Sequence, residues 1–169
     1  MTADRITGLV DELQTFTGDP TKGLPEKVFL YASQITPLVN VDLLIKDKVH
    51  GALLTWRDDR YYETGWHVPG GIIRFKETFS ERIRAVAREE LDISVVHDSV
   101  PIAINEVIHA TKAIRGHFIS LLFSCCPTSP LNATSAAHTH PTKGQWQWHK
   151  TCPPNLIPVH NMYRPYLFA

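Results

Sequence analysis

Between Trp66 and Val95 the sequence reads as strand end, glycine turn at Gly70-Gly71, helix and strand, and it carries the acidic residues Glu77, Glu89 and Glu90. Thr78 and Glu81 stand in the T-x-x-E arrangement of a capping box, which predicts a helix from Phe79 to about Leu91. At about 100° per residue, Ile83, Val86, Ala87 and Leu91 share one apolar stripe, with Glu81, Arg84 and Arg88 opposite. Glu90 falls in the middle of that stripe, at about +20° from Phe79, with Glu89 beside it at about −80°. A carboxylate on the buried side of a core helix costs several kcal/mol unless a cation pairs with it or it takes up a proton. A divalent metal would satisfy Glu90; so would a salt bridge to an arginine, or a helix end at which the side chain reaches water. The glycine pair favours a ligand, because glycines ahead of a helix N-terminus let backbone groups approach one closely.

Gly71, Glu77, Glu89, Glu90 and Ile93 keep the spacing of the Nudix box, G-x5-E-x7-R-E-U-x-E-E-x-G-U with U apolar, and the chain resembles that family. Ala85 and Val86 stand in place of the box Arg-Glu pair, and Asp92 in place of the last glycine. In the family the missing glutamate often activates water for attack on phosphorus. One branch lacks it too, the GDP-mannose mannosyl hydrolases, which substitute at the sugar C1 and release GDP and mannose. Thr36 to Ile45, Gly65 to Gly71 and Val159 to Tyr166 resemble that branch as well, so the similarity spans residues 25–169.

The resemblance implies an α/β fold, a Nudix-type α/β/α sandwich with a central mixed β-sheet. It also implies binding of a divalent ion, and the hard oxygen donors of the box, Glu89, Glu90 and the Gly70 carbonyl, suit Mg2+ or Mn2+ better than zinc. Glu77 suits a role in orienting the loop. Asp42 lies in an otherwise apolar strand: it is either a strand-edge aspartate met by backbone or arginine, or, as the resemblance implies, part of the metal and substrate site. Arg57-Asp58-Asp59-Arg60 reads as a solvated turn by composition. The resemblance instead puts Arg57 on the nucleotide diphosphate, where a planar fork matches phosphate oxygens and Arg60 stands beside it. Phe118 occupies a substrate-site position where the branch leads one to expect tyrosine, and it cannot donate a hydrogen bond.

The general base of the branch is a histidine on the loop that corresponds here to Pro127–Gly144. Alignment on Trp148 puts Lys143 at its place, with His140 three residues away and His138 beyond it. A histidine suits removal of a proton from an attacking water, which makes His140 the candidate base beside Glu90 and Arg57; the alternative is a loop that merely bears histidines. Three functions follow. The first is metal-dependent hydrolysis of a GDP-mannose-like nucleotide sugar by water attack at C1. The second is a Nudix pyrophosphatase that attacks phosphorus of a nucleotide sugar or nucleoside triphosphate. The third, of another class, is a nucleotide-binding module without catalysis.

These residues need a scaffold, and 169 residues suffice for one ordinary domain. The resemblance divides it into residues 25–169, the hydrolase domain, and residues 1–24, an extension whose Ile6, Leu9, Val10 and Leu13 follow helical spacing. A second short helix is expected over Pro25–Ser33. Strands are expected at Val39–Ile45, Val49–Trp56, Val100–Ala110, Gly116–Cys126 and Gln145–Trp148, and a C-terminal helix near Val159–Leu167. The loop Pro127–Gly144 is long enough to expect a lid or disorder. Seventeen basic and 17 acidic residues cancel, which argues against a nucleic-acid partner. No apolar run suggests a membrane span, and Met1 to Arg5 do not open a signal peptide. Cys125, Cys126 and Cys152 lack zinc-site spacing and fit reduced thiols in a cytoplasm. A homodimer is implied by the resemblance alone.

Overall fold

The computed structural model describes residues 3–168; the outermost positions of the expected extension and domain, 1, 2 and 169, lie outside the described residues. The strands are β1 (Leu38–Asp47), β2 (Gly51–Arg57), β3 (Gly65–His67), β4 (Gly70–Ile72), β5 (Val95–His97), β6 (Ala103–Ile108), β7 (His117–Pro127) and β8 (Trp146–His149). The helices are α1 (Ala3–Thr17), α2 (Glu26–Ile35), α3 (Phe79–Leu91) and the single turn α4 (Arg164–Leu167). All eight strands join one sheet along β3-β2-β1-β7-β5, with β4 on β1, β6 on β7 and β8 on β2. The β1–β7 pair is parallel, from Leu38↔Phe118 to Ile45↔Cys125, and the remaining pairs are antiparallel.

The strand period of two sorts the apolar side chains to both faces, as in a sheet covered on each side. Val41, Leu43 and Ile45 of β1 join Leu53, Leu121 and Phe123 beneath Ile83, Val86, Ala87 and Leu91 of α3. Leu44, Leu54 and Leu122 point the other way, against Trp66, Tyr163 and Leu167. A mixed sheet therefore lies between helical layers, the α/β/α sandwich expected from the sequence.

Local chemistry accounts for the helix ends. Thr78 Oγ1 accepts the Glu81 amide while Glu81 accepts the Thr78 amide, and Asp92 closes α3 in a left-handed conformation at φ 55°. The last helix departs from expectation: Pro158–Tyr163 is 3-10 and only Arg164–Leu167 is α-helical. Pro165 has no N–H to continue an α-helical ladder back to Asn161. Helix α2 runs two residues past the expected Ser33, to Ile35, with Pro25 as its cap rather than in its first turn. β6 starts at Ala103, later than expected, after Pro101. No residue of α1 is buried, and Ile6, Leu9, Val10 and Leu13 are exposed.

One further expectation is corrected and a second is narrowed. Gly70 and Gly71 open strand β4 rather than a turn, and neither has positive φ. The chain reverses afterwards, where Lys76 takes φ 60° and the Glu77 amide donates to the Arg74 carbonyl. The loop expected to be a lid or disordered holds a 3-10 turn at Ala133–Ser135, capped by Asn132. It is fastened by Ala137 N–H to the Trp146 carbonyl and Gly144 N–H to the Trp56 carbonyl. Among the described residues no helix is long and apolar enough to cross a membrane.

Candidate active site

The sheet splits along β1. Lys46 and Asp47 pair with β2, whereas Asn40 to Asp42 pair with β4. His67 to Gly70 cross the gap, with the Leu43 amide donating to the Pro69 carbonyl. Glu90, reaching in from α3, fills the split. Its Oε1 accepts the Gly70 amide at 3.0 Å, and its Oε2 accepts the Thr55 hydroxyl at 2.8 Å and lies 3.2 Å from His67 Nε2. A carbonyl can only accept, so His67 Nδ1, 2.9 Å from the Thr55 carbonyl, is a donor and Nε2 is left facing Glu90. Burial raises the Glu90 carboxyl, but the neighbouring His67 and the hydrogen bonds from His67, Thr55 and Gly70 outweigh it, holding the group below its usual range. The inward carboxylate of the sequence reading thus meets an imidazole, a hydroxyl and an amide rather than an arginine, and its side chain keeps 24% exposure.

On the opposite face, Asp42 is 3% exposed. Its Oδ2 accepts the Tyr163 hydroxyl at 2.5 Å and the Asn40 amide at 2.7 Å, and Ser120 in turn donates to Asn40. Its Oδ1 fills the space where Gly70 has no side chain: a Cβ there would stand 2.1 Å from it. Burial pushes Asp42 up to about 7, against the lowering pull of Tyr163, His67 and Asn40, and with Glu90 adding to the rise. His160 accepts the Val68 amide at Nδ1, 2.9 Å away, which ties the C-terminal segment to the chain just before the glycines.

A cavity of about 140 Å³ opens over these groups, with Asp42, His67 and Gly70 at one end and Arg57, Tyr62 and Arg115 at the other. That volume is below the roughly 300 Å³ of a small-ligand pocket, so the cavity can enclose only part of a larger ligand. Phe118 packs in its wall. Arg57 is held by Asp59 at 2.5 Å and lies 4.7 Å from the Tyr62 ring centre.

Four of the candidates from sequence therefore line one cavity: Asp42, Arg57, Gly70 and Phe118, with Glu90 bonded to its floor. The others stand elsewhere. Glu89 points outward at 58% exposure, 3.8 Å from Arg82 Nη1. Arg60 is exposed and pairs with Glu26 and the Tyr61 hydroxyl. His140 and Lys143 are exposed on the loop before β8 and do not line the cavity. Sequence reasoning missed Thr55, His67, Tyr62, Arg115 and Tyr163. The Trp66-His67-Val68 run ahead of the glycines was the one available signal, for His67.

Glu77 does orient the loop. It accepts both Nε and Nη2 of the buried Arg82 at 2.8 Å and the Arg74 amide at 2.8 Å. Position 85 is alanine, and Arg82, one turn earlier, supplies the cation. Val86 is 2% exposed within the core under α3, its Cγ2 only 2.7 Å from where a Cβ on Gly71 would lie.

Among the described residues no three His, Cys, Asp or Glu side chains are gathered as a metal-binding group. Magnesium is commonly held by one or two carboxylates, with substrate phosphates and water completing its shell. Glu90 and Asp42 lie on either side of Gly70, carboxylates of the kind that donor set uses, whereas Glu89 faces solvent and Arg82.

No family model matches the sequence. A low-salt glycan biosynthesis protein, Agl8, of Haloferax volcanii is 31% identical over 108 residues, 62% of this chain and 68% of that protein. Among solved structures, a Nudix hydrolase from Nitrosomonas europaea aligns with TM-score 0.53 at 16% identity, over 79% of this chain and 80% of that one. A Nudix-family hydrolase from Clostridium perfringens gives 0.55 at 15%, over 76% and 95%. A UDP-X diphosphatase gives 0.55 at 16%, over 97% and 88%. The chain thus has the fold of these Nudix hydrolases, with the box spacing intact on its strand-loop-helix unit.

Proposed function

We propose that the protein is a metal-dependent hydrolase of a nucleoside diphosphate-linked sugar of the GDP-mannose type, and that water attacks the sugar C1 to release nucleoside diphosphate and sugar. The observation that carries this reading is the burial of Val86 beneath Gly71: α3 offers no carboxylate there to activate water against phosphorus. Attack on carbon needs none at that place, because the diphosphate only has to leave. The Haloferax relative, named for glycan biosynthesis, supports a sugar-linked substrate.

In this reading Glu90 and Asp42, with the Gly70 carbonyl beside them, hold the ion, which when bound neutralises charge on the departing diphosphate. Arg57 supports the same phosphates with its fork, kept in place by Asp59. His140 is the proposed base, and the reading requires its loop to turn inward over the cavity on binding. Arg60 and Lys143 then face the part of the substrate outside the cavity.

A second reading, attack on phosphorus, draws on Asp42, a buried carboxyl pushed up to about 7 at the end of the cavity opposite Arg57 and Arg115. Hydrolysis in oxygen-18 water across a panel of nucleotide sugars, with Mg2+ or Mn2+, tests both. Label in the sugar is the expected result. Label in phosphate overturns carbon attack, and absence of turnover with any substrate leaves a nucleotide-binding module.

A further inference from the structure

The cationic end of the cavity contains one guanidinium, that of Arg115, which pairs with no carboxylate among the described residues and whose Nε is unpartnered. Arg115 ends the loop between β6 and β7 at φ 51°, in the left-handed region uncommon for a residue with a side chain. The loop is fixed around it. Its amide donates to Ser33 Oγ at 3.0 Å, its carbonyl accepts the Tyr62 hydroxyl at 3.0 Å, and a Cβ on the following Gly116 would stand 2.4 Å from the Lys112 carbonyl. The guanidinium then lies 4.6 Å from the Tyr61 ring centre, 5.8 Å from that of Tyr62 and 5.6 Å from that of Phe29.

Arginines elsewhere in this region have carboxylates: Arg57 has Asp59, Arg60 has Glu26 and Arg82 has Glu77. Arg115 forms no ion pair among the described residues, and its buried Nε has no hydrogen-bond partner. Asp59, the acid nearest in charge, is occupied by Arg57 and by the Tyr61 and Tyr62 amides. Lys112 Nζ adds a further positive charge 3.8 Å from the Tyr62 ring centre. Three cations thus surround one tyrosine with a single carboxylate among them. An anion in the cavity would relieve both their mutual repulsion and the desolvation of Arg115.

We propose that Arg115 is a specificity-determining residue: with Arg57 it takes the oxygens of the substrate's diphosphate, so that the site selects two linked phosphates over one. The inference deepens the nucleotide-sugar reading and rests on it for the group attached to the diphosphate, whereas the anion itself can be tested alone.

The test is calorimetric titration of inorganic pyrophosphate and orthophosphate, with magnesium, into wild type, R115A, R115K and the distant exposed control R84A. Wild type and R84A are expected to prefer pyrophosphate by about tenfold or more, and R115A to lose about that factor for pyrophosphate only. R115K, which keeps the charge without the fork and holds the fold if R115A does not, falls between. Pyrophosphate binding by R115A and R115K equal to wild type overturns the proposal, as does a wild type without preference. If R115A loses pyrophosphate while wild type hydrolyses no nucleotide sugar, the diphosphate site stands and the proposed reaction falls. If nucleotide sugars are hydrolysed and R115A is unimpaired in KM and pyrophosphate binding, the reaction stands and Arg115 has no part in selection.

Discussion

Replacing Glu90 with glutamine separates the structural work of this carboxylate from its proposed work on an ion. Two donors converge on it, the Gly70 amide and the Thr55 hydroxyl, and His67 Nε2 lies 3.2 Å away. Glutamine can turn its oxygen to Gly70 and its amide nitrogen to Thr55 Oγ1, which also accepts, and to His67 Nε2. No donor is left stranded, and the loss of charge assistance is offset in part by the easier burial of a neutral group. The net cost is about 1 kcal/mol, a fall in Tm of roughly 2–4 °C for a chain of this size. Alanine instead leaves the Gly70 amide and the Thr55 hydroxyl without this acceptor, at about 1–3 kcal/mol for each that water does not reach, so E90A should melt lower than E90Q. Catalysis should respond differently. An ion that loses its ionised anchor forfeits several kcal/mol of charge stabilisation, about a thousandfold in kcat/KM, in the stable E90Q variant as much as in E90A. Thermal melts and initial rates against magnesium concentration measure the two effects. If E90Q keeps magnesium-dependent turnover within about threefold of wild type, the carboxylate does not anchor the ion and the proposed site is wrong.

Restoring the box glutamate by V86E should not confer attack on phosphorus: it buries a carboxylate at a position 2% exposed, and melts should show a loss of about 3 kcal/mol or more with no label appearing in phosphate. H140A should lower kcat by about 10²-fold or more with KM little changed if this residue is the base; an unchanged kcat assigns the role elsewhere. His149, whose Nε2 is buried without a partner, is held down to about 4 by burial. Its folded pKa lies below the unfolded value, so its neutral form stabilises the fold fully above about pH 6.5 and that stability is lost as pH falls towards 4. For a partly exposed ring the loss is about 1–2 kcal/mol, and H149Q should flatten the stability profile across that window.

How much of the site was legible depended on how local the causes are. The bounds of α3 follow from Thr78, Glu81 and an apolar stripe within the same 14 residues, and the inward turn of Glu90 from its angle on that stripe. Its partners are not local: Thr55 comes from β2 and His67 from β3, joined only by strand pairing. Glu89 shows the limit of neighbourhood in sequence, since one residue's rotation carries it out of the split to Arg82 and solvent. Arg57 stood out only through the family resemblance, its charged turn reading as solvated by composition, whereas Arg115 is an ordinary arginine in a loop until the fold brings Tyr61 and Tyr62 beneath it. Tyr163 reaches Asp42 across 121 residues of chain, a contact that the C-terminal resemblance suggested only as a segment.

Arg82, Val86 and Glu90 are spaced four residues apart and form one row along α3. Each fastens a different part of the preceding loop: Arg82 takes Glu77, Val86 packs under Gly71, and Glu90 accepts the Gly70 amide. Seating at the middle point sets the reach of the other two, because a Cβ on Gly71 would already stand 2.7 Å from Val86 and 3.2 Å from Arg82 Cδ. An acidic residue at 86 would lie between a guanidinium already bonded twice to Glu77 and a carboxylate one turn away, with no free cation of its own. The apolar side chain at that place and the short Glu90–Gly70 bond are therefore parts of one arrangement. It holds Glu90 tightly against the bend and, in doing so, gives up a carboxylate on the helix as an activator of water, so the base for the proposed reaction has to approach from the far side of the cavity.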